Sequence, residues 1–215
     1  GSFPNVIDDQ LQQWGGFFND LYLSNLLWVG RVLEMHAEKP FDLIAVQDWL
    51  SAPAGLALAR HELAPIVFHV HSAEWGRMGG GGSPTVTFWE MELGRQADAV
   101  ITVSNAMRDD LLEHGFDPAS TNAVWNGIDP VRYHPDAPGR ERVRREYGFA
   151  ADDLVALFVG RLTEVKGVLP LIESWPNIAS IFPEARLVIL GSGELQGVVE
   201  ERIGSLGIGS SVVLR

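Results

Sequence analysis

The sequence predicts an α/β fold of mostly parallel sheets, arranged as two successive units, and three observations predict it. Short apolar runs rich in β-branched residues alternate with longer helical patterns, at 41–46 then 53–63, at 66–70, and at 99–103 then 105–114. The runs Asp42-Leu43-Ile44-Ala45-Val46 and Ala99-Val100-Ile101-Thr102-Val103 are almost wholly apolar, as strands covered on both faces require. Past a turn-rich, charged stretch at 126–148 the same rhythm starts again.

Taken in order, the first apolar stretch is 21–35, broken by Ser24, Asn25, Gly30, Arg31 and Glu34. It is too interrupted to span a bilayer and predicts a buried amphipathic helix, with Gly15-Gly16 in the same helical context. Ser104 is placed to cap the helix that follows the strand at 99–103, and Gly115 to end it. Between 126 and 148, Pro130, Pro135, Pro138 and Gly139 are expected to break any long element, which makes the segment an interdomain connection and divides the chain into domains 1–136 and 137–215. The second unit then reads as a strand at 154–159, a helix at 168–182 that Pro176 should kink or shorten, a strand at 185–190, the turn Gly191-Ser192-Gly193, another helix and the start of a third strand. That is less than a complete Rossmann-like domain. The chain is therefore expected to be a large fragment whose second domain continues past Arg215.

The 215 residues suffice for one large or two small cores. Cysteine is absent, which excludes disulfides, a thiol nucleophile and thiolate metal sites, and fits a reducing cytoplasm. A formal net charge of −12 argues against broad binding to nucleic acid or to anionic membranes, so an anionic ligand needs a local basic site. No transmembrane segment and no signal peptide are expected.

Val159-Gly160-Arg161-Leu162 with Lys166-Gly167 supplies such a site, at a strand-to-helix turn where open α/β sheets bind ligands. Arg161 offers a planar fork of donors and Lys166 a mobile point charge. Together they suit a diphosphate leaving group, whose charge grows as the bond to an anomeric carbon breaks. A plain solvated pair is the competing reading. Gly160, Gly191 and Gly193 either let backbone approach a phosphate or sugar, or make tight turns. His69 and His71 point the same way at a strand end, open to three readings: a metal site lacking a visible third ligand, structural histidines, or a His71 that meets a bound sugar. Ser72-Ala73-Glu74-Trp75-Gly76-Arg77 and the glycines at 79–82 follow, either a loop that closes over substrate or an unstructured connection. Asp48 reads as a helix cap, Trp49 as a packing residue and Asn126-Gly127 as a turn.

In this order these pieces resemble the family 4 glycosyltransferases of the GT-B fold, above all their glycogen- and starch-synthase-like members. The resemblance rests on Gln47-Asp48-Trp49, where the family often has His-Asp-Trp, on Val67-Phe68-His69-Val70-His71-Ser72, and on the run from Ala97 to Ser104 with Met107. It continues through Asn126-Gly127-Ile128-Asp129 with Tyr133-His134-Pro135, Gly160-Arg161-Leu162 with Lys166-Gly167, and the run from Pro183 to Gly193. It implies two Rossmann-like domains, both incomplete in this chain, and a cytoplasmic enzyme taking a nucleotide sugar and a carbohydrate acceptor, with no cofactor and no metal. It further implies a diphosphate-binding pair in Arg161 and Lys166 and a His71 near the transferred sugar. Because Arg161 and Lys166 flank a strand-to-helix turn they are expected to project into one cleft, and the strand-end position of His71 predicts that it faces the cleft between the domains and is more exposed than His69. The implied reaction retains anomeric configuration and moves a hexosyl unit, glucosyl by expectation, to an α-glucan or similar acceptor. A small-molecule or lipid-linked acceptor, or a sugar-binding fragment without turnover, are the alternatives. The family's first strand with its glycine-rich loop is not recognisable at the start, and its Glu-x7-Glu motif would fall beyond Arg215.

Overall fold

The computed structural model describes residues 16–215. Contacts divide the chain into two compact units, Gly1–Ile128 and Asp129–Arg215. Each has its own parallel sheet and its own apolar core.

The first unit runs α1 (Gly16–Glu38), β1 (Ile44–Gln47), a 3-10 turn (Trp49–Ser51), α2 (Ala52–Ala59), β2 (Ile66–Val70), α3 (Glu74–Arg77), α4 (Pro84–Gln96), β3 (Ala99–Thr102), α5 (Asn105–Glu113) and β4 (Thr121–Ala123). The strands pair in the order β1-β2-β3-β4, all parallel, with Gln47 opposite His69 and Val70 opposite Thr102. Their carboxyl ends thus share one rim, where Asp48, His71 and Val124 follow directly. In β2, Ile66, Phe68 and Val70 alternate into the core with Trp89, Leu93, Val100 and Leu111, as a period of two requires. Ser104 Oγ accepts from the Met107 N–H at 3.1 Å, and α5 stops before Gly115.

The long helix α1 forms where the sequence predicts it, but it is not buried. Only Phe18, Leu21 and Asn25 are enclosed, while Leu23, Leu26, Leu27 and Trp28 are exposed. A line running from Phe18 and Leu21 to the partly buried Val29, Val32 and Leu33 attaches it to the first core, with Tyr22 set against Trp89. Asn25 is the polar centre of that line: its Nδ2 donates to the Leu21 and Leu50 carbonyls at 2.8 and 3.0 Å, and its Oδ1 accepts from the Ala54 N–H at 2.9 Å. It thus serves an amide of the first turn of α2 that Ser51 leaves unbonded.

The second unit runs α6 (Ala137–Glu146), β5 (Leu154–Val159), a 3-10 turn (Glu164–Lys166), α7 (Val168–Ile181), β6 (Ala185–Leu190), α8 (Gln196–Ser205) and β7 (Val212–Leu214), with the parallel order β5-β6-β7. Helix α6 corrects the expectation that prolines bar any long element from 126–148. Pro138 lies in its first turn, where a missing N–H costs nothing, and Asp136 Oδ1 caps it by accepting from the Gly139 N–H at 3.0 Å. Pro176 does not shorten α7 either, which runs on to Ile181. Ile172 and Trp175 are buried before the proline and Ile178 and Ala179 pack against the same core after it, while the Trp175 Nε1–H donates to Ser211 Oγ at 3.0 Å, so tertiary packing carries the helix past the proline.

Among the described residues, no helix is long and apolar enough to cross a membrane.

Candidate functional site

Strand β5 hands the chain to α7 through a turn pinned by two apolar side chains. Leu162 and Val168 are each 0% exposed in the second core. Leu162 is also bonded through its backbone, its N–H donating to the Ser192 carbonyl at 2.9 Å and its carbonyl accepting from the Leu195 N–H at 3.0 Å. With Leu162 turned inward, Arg161 is turned out. Lys166 closes the 3-10 turn, its N–H donating to the Thr163 carbonyl at 3.1 Å, just before Gly167 and the start of α7. Both cations are exposed, and among the described residues neither side chain has a hydrogen bond or an ion-pair partner. Two positive charges without a bonded partner thus stand, with Glu164 between them, beside the N-terminus of a 14-residue helix whose first amides have no intrahelical acceptors.

Gly191 and Gly193 belong to the same place for an internal reason. Gly160 donates its N–H to the Leu190 carbonyl at 3.1 Å, which brings the β6 turn against the β5 turn. A Cβ on Gly191, whose φ is 149°, would run into the Gly160 carbonyl, and one on Gly193 would lie 2.8 Å from the backbone nitrogen of Leu162. Only glycine permits this contact of two backbones. Gly160, Arg161, Lys166, Gly191 and Gly193 therefore stand on adjoining turns of the second unit, while His71 belongs to the first.

In the first unit, His71 follows β2 on the carboxyl rim and is exposed; His69 is partly buried. Their rings lie 4.5 Å apart between centroids, and His69 Nε2 is enclosed without a hydrogen-bond partner. Burial, reinforced by the neighbouring His71, pushes the His69 imidazole below its ordinary value against the opposing pull of Asp48, so His69 favours the neutral form. Asp48 is not a side-chain cap. Its Oδ1 accepts from the His71 N–H at 2.7 Å, its own N–H donates to the His69 carbonyl at 2.9 Å, and its φ is 51°, a conformation uncommon for a residue with a Cβ. Trp49 packs as expected, its ring 6.0 Å from that of Phe18. Asp129 Oδ1 accepts from the Val131 N–H at 2.9 Å, within the turn that follows Asn126-Gly127. Among the described residues, no three histidine, cysteine or carboxylate side chains gather as a metal site would require.

The loop after His71 is a built structure, neither a free lid nor an unstructured connection. It contains α3, and Arg77 pairs with Glu74 and with Glu90 of α4. Sequence reading missed Glu90. The available signal was a carboxylate set between Trp89 and Met91 on a helix with apolar neighbours.

The chain matches two family models in succession: Glycosyltransferase Family 4 over residues 5–132 and Glycosyl transferases group 1 over residues 139–214. It is 35% identical over 162 residues to the alpha-maltose-1-phosphate synthase of Mycolicibacterium smegmatis, covering 71% of this chain and 41% of that protein. It is 34% identical over 160 residues to the glycogen synthase of Mycobacterium tuberculosis, covering 72% of this chain and 36% of that one. The fold superposes on the crystal structure of Anabaena HepE in complex with UDP and glucose at a TM-score of 0.70 with 22% identity, over 86% of this chain and 50% of that one. The chain thus spans half or less of the length of these proteins. With two parallel α/β units in this order, each matched by its own family model, the chain belongs to the family 4 glycosyltransferases of the GT-B fold.

Proposed function

We propose that the chain carries the core of a retaining glycosyltransferase that moves a glucosyl unit from a nucleotide sugar to an α-glucan acceptor. One observation carries this reading: Arg161 and Lys166 stand exposed and unpaired on the turn that opens α7, in a chain whose net charge is −12. An acidic protein that leaves two cations unneutralised beside a helix N-terminus has an anion-binding position there. A nucleoside diphosphate fits it. Arg161 holds the phosphate oxygens through its planar fork, and Lys166 meets the charge that grows on the leaving oxygen as the anomeric bond breaks. His71 presents its imidazole to a hydroxyl of the transferred sugar. The leaving phosphate takes the acceptor proton on the same face, and no step is given to a metal ion. Similarity to a glycogen synthase, and to a structure holding UDP and glucose, supports the choice of donor and acceptor. Similarity to an alpha-maltose-1-phosphate synthase favours a second reading, in which the acceptor is a small sugar phosphate. A cytoplasmic setting suits a cysteine-free chain.

The test is transfer from UDP-glucose to maltooligosaccharides, or to glucose 1-phosphate, by a full-length enzyme carrying this chain, with UDP binding followed by calorimetry. Lys166→Ala should lower kcat roughly 100-fold while weakening UDP binding far less. An unchanged kcat with only a raised KM would remove Lys166 from the leaving-group role.

A further inference from the structure

Between β2 and α4 the chain is tied together by charges that the proposed chemistry does not use. Arg77, the last residue of α3, donates from Nη1 to the Ser72 carbonyl at 2.6 Å and to Ser72 Oγ at 3.0 Å. Its Nη2 donates to Glu74 Oε2 at 2.7 Å and to Glu90 Oε1 at 2.9 Å. The remaining carboxylate oxygens are occupied as well. Glu74 Oε1 accepts from the Ser83 N–H and Glu90 Oε2 from the Glu74 N–H, each at 2.9 Å. The guanidinium rests over the Trp49 indole, 5.6 Å from its centroid.

Stability alone does not account for such a group. The Glu90 side chain is 2% exposed, and a buried ion cluster is often matched or exceeded in stability by apolar side chains of the same volume. What apolar side chains cannot do is hold backbone. Arg77 holds Ser72 at the start of the excursion and Glu74 holds Ser83 at its end, while Gly82 yields the space: its φ is 110°, and a Cβ there would lie 2.7 Å from Glu74 Cγ. Ser72 follows His71, whose N–H is held by Asp48. Two successive residues are thus fixed through their backbones, one by Asp48 and one by Arg77. The His71 ring itself makes no hydrogen bond among the described residues, so its direction is set by that backbone and by the ring of His69.

We propose that Arg77 is a positioning residue: anchored by Glu74 and Glu90, it fixes Ser72 and thereby aims His71 at the sugar. This rests on the reading that His71 meets the transferred sugar. The planar fork is essential, because four acceptors on two sides must be served at once, and a single ammonium cannot reach them all.

Arg77→Lys keeps the charge and removes the fork. In a full-length enzyme supplied with UDP-glucose it should fold, bind UDP as the parent does, and turn over about 10- to 100-fold more slowly. In the isolated chain, the backbone amide signals of His71 and Ser72 should shift and exchange faster with solvent. Parental turnover, or slower turnover with those two signals unmoved, overturns the proposal. If that variant fails to fold, the triple Arg77→Met/Glu74→Gln/Glu90→Met removes the charges without stranding a buried carboxylate, and Gln at 74 keeps an acceptor for the Ser83 N–H. The same loss of turnover is expected from it, and a folded triple variant with parental turnover overturns the proposal. If the parent transfers nothing from UDP-glucose, the functional reading falls, and the His71 and Ser72 amide signals alone decide whether Arg77 holds this turn.

Discussion

His69 shows how one side chain is read differently from sequence and from structure. In the sequence it is half of an alternating pair with His71, open to metal binding, packing or ligand contact. In the structure its Nε2 is enclosed without a partner and its imidazole is held below the ordinary value by burial and by His71. A depressed folded-state value fixes the sign of the pH response. Below the ordinary histidine value of 6.5 the unfolded chain takes up a proton that the folded chain refuses, so stability is fully present above that value and is lost as pH falls through the depressed one. Denaturant midpoints measured downward from pH 7 should therefore decline, and His69→Phe should flatten that decline. An unchanged slope in the variant would assign it to other groups. Glu90 responds with the opposite sign. Burial raises its carboxyl against the pull of the Glu74 amide and Arg77, so its contribution to stability is lost as pH rises above the ordinary carboxylate value of 4.5. At this scale the sequence offered Arg161, Lys166 and His71 as candidates. It could not show that Asp48 spends its carboxylate on the His71 amide, or that Glu90 reaches Glu74 and Arg77, because those bonds join residues 23, 16 and 13 positions apart.

At the scale of elements, the strands were legible because parallel strands read as short apolar runs, and β2, β5 and β6 lie where such runs predict; β2 and β6 are largely enclosed, whereas Leu154, Leu157 and Val159 of β5 are exposed. Helix α6 was not. Its prolines and charges resemble a linker, and only the capping bond from Asp136 and the placement of Pro138 in the first turn show why a helix starts there. The exposure of α1 was hidden for a related reason: an apolar pattern states what a helix is able to bury and not what it packs against. The glycine pair after β6 was legible as a motif but not as a contact. Gly191→Ala should destabilise the fold by about 1–3 kcal/mol from its backbone conformation alone, and by more through the collision with the Gly160 carbonyl. Gly197→Ala, in α8 with nothing within 4 Å of the added Cβ, should instead stabilise by about 0.4–1 kcal/mol. Urea midpoints of the two variants check the contrast. Equal effects would mean that the adjoining turns yield more easily than their backbone bonds suggest.

Across the whole molecule, the restart of the strand–helix rhythm after 148 was the readable sign of a second unit, and the structure gives each unit a separate core. Phe68, Leu93, Val100 and Leu111 are enclosed in the first, while Leu162, Ile172, Leu187 and Ile189 are enclosed in the second. No buried residue is shared between these two clusters. Cooperative unfolding follows shared burial, so each core should answer to its own substitutions, and a single unfolding free energy would not describe the chain. Truncating an enclosed side chain costs about 3–5 kcal/mol for phenylalanine and 2–5 kcal/mol for isoleucine, a large fraction of the 5–15 kcal/mol that a whole domain typically has. Phe68→Ala should therefore bring forward the loss of amide protection across β1 to β4 and leave β5 to β7 as they were. Ile189→Ala should do the reverse. Hydrogen exchange read by strand separates these outcomes, and if either substitution lowered protection equally in both sheets, the two cores would have to unfold as one.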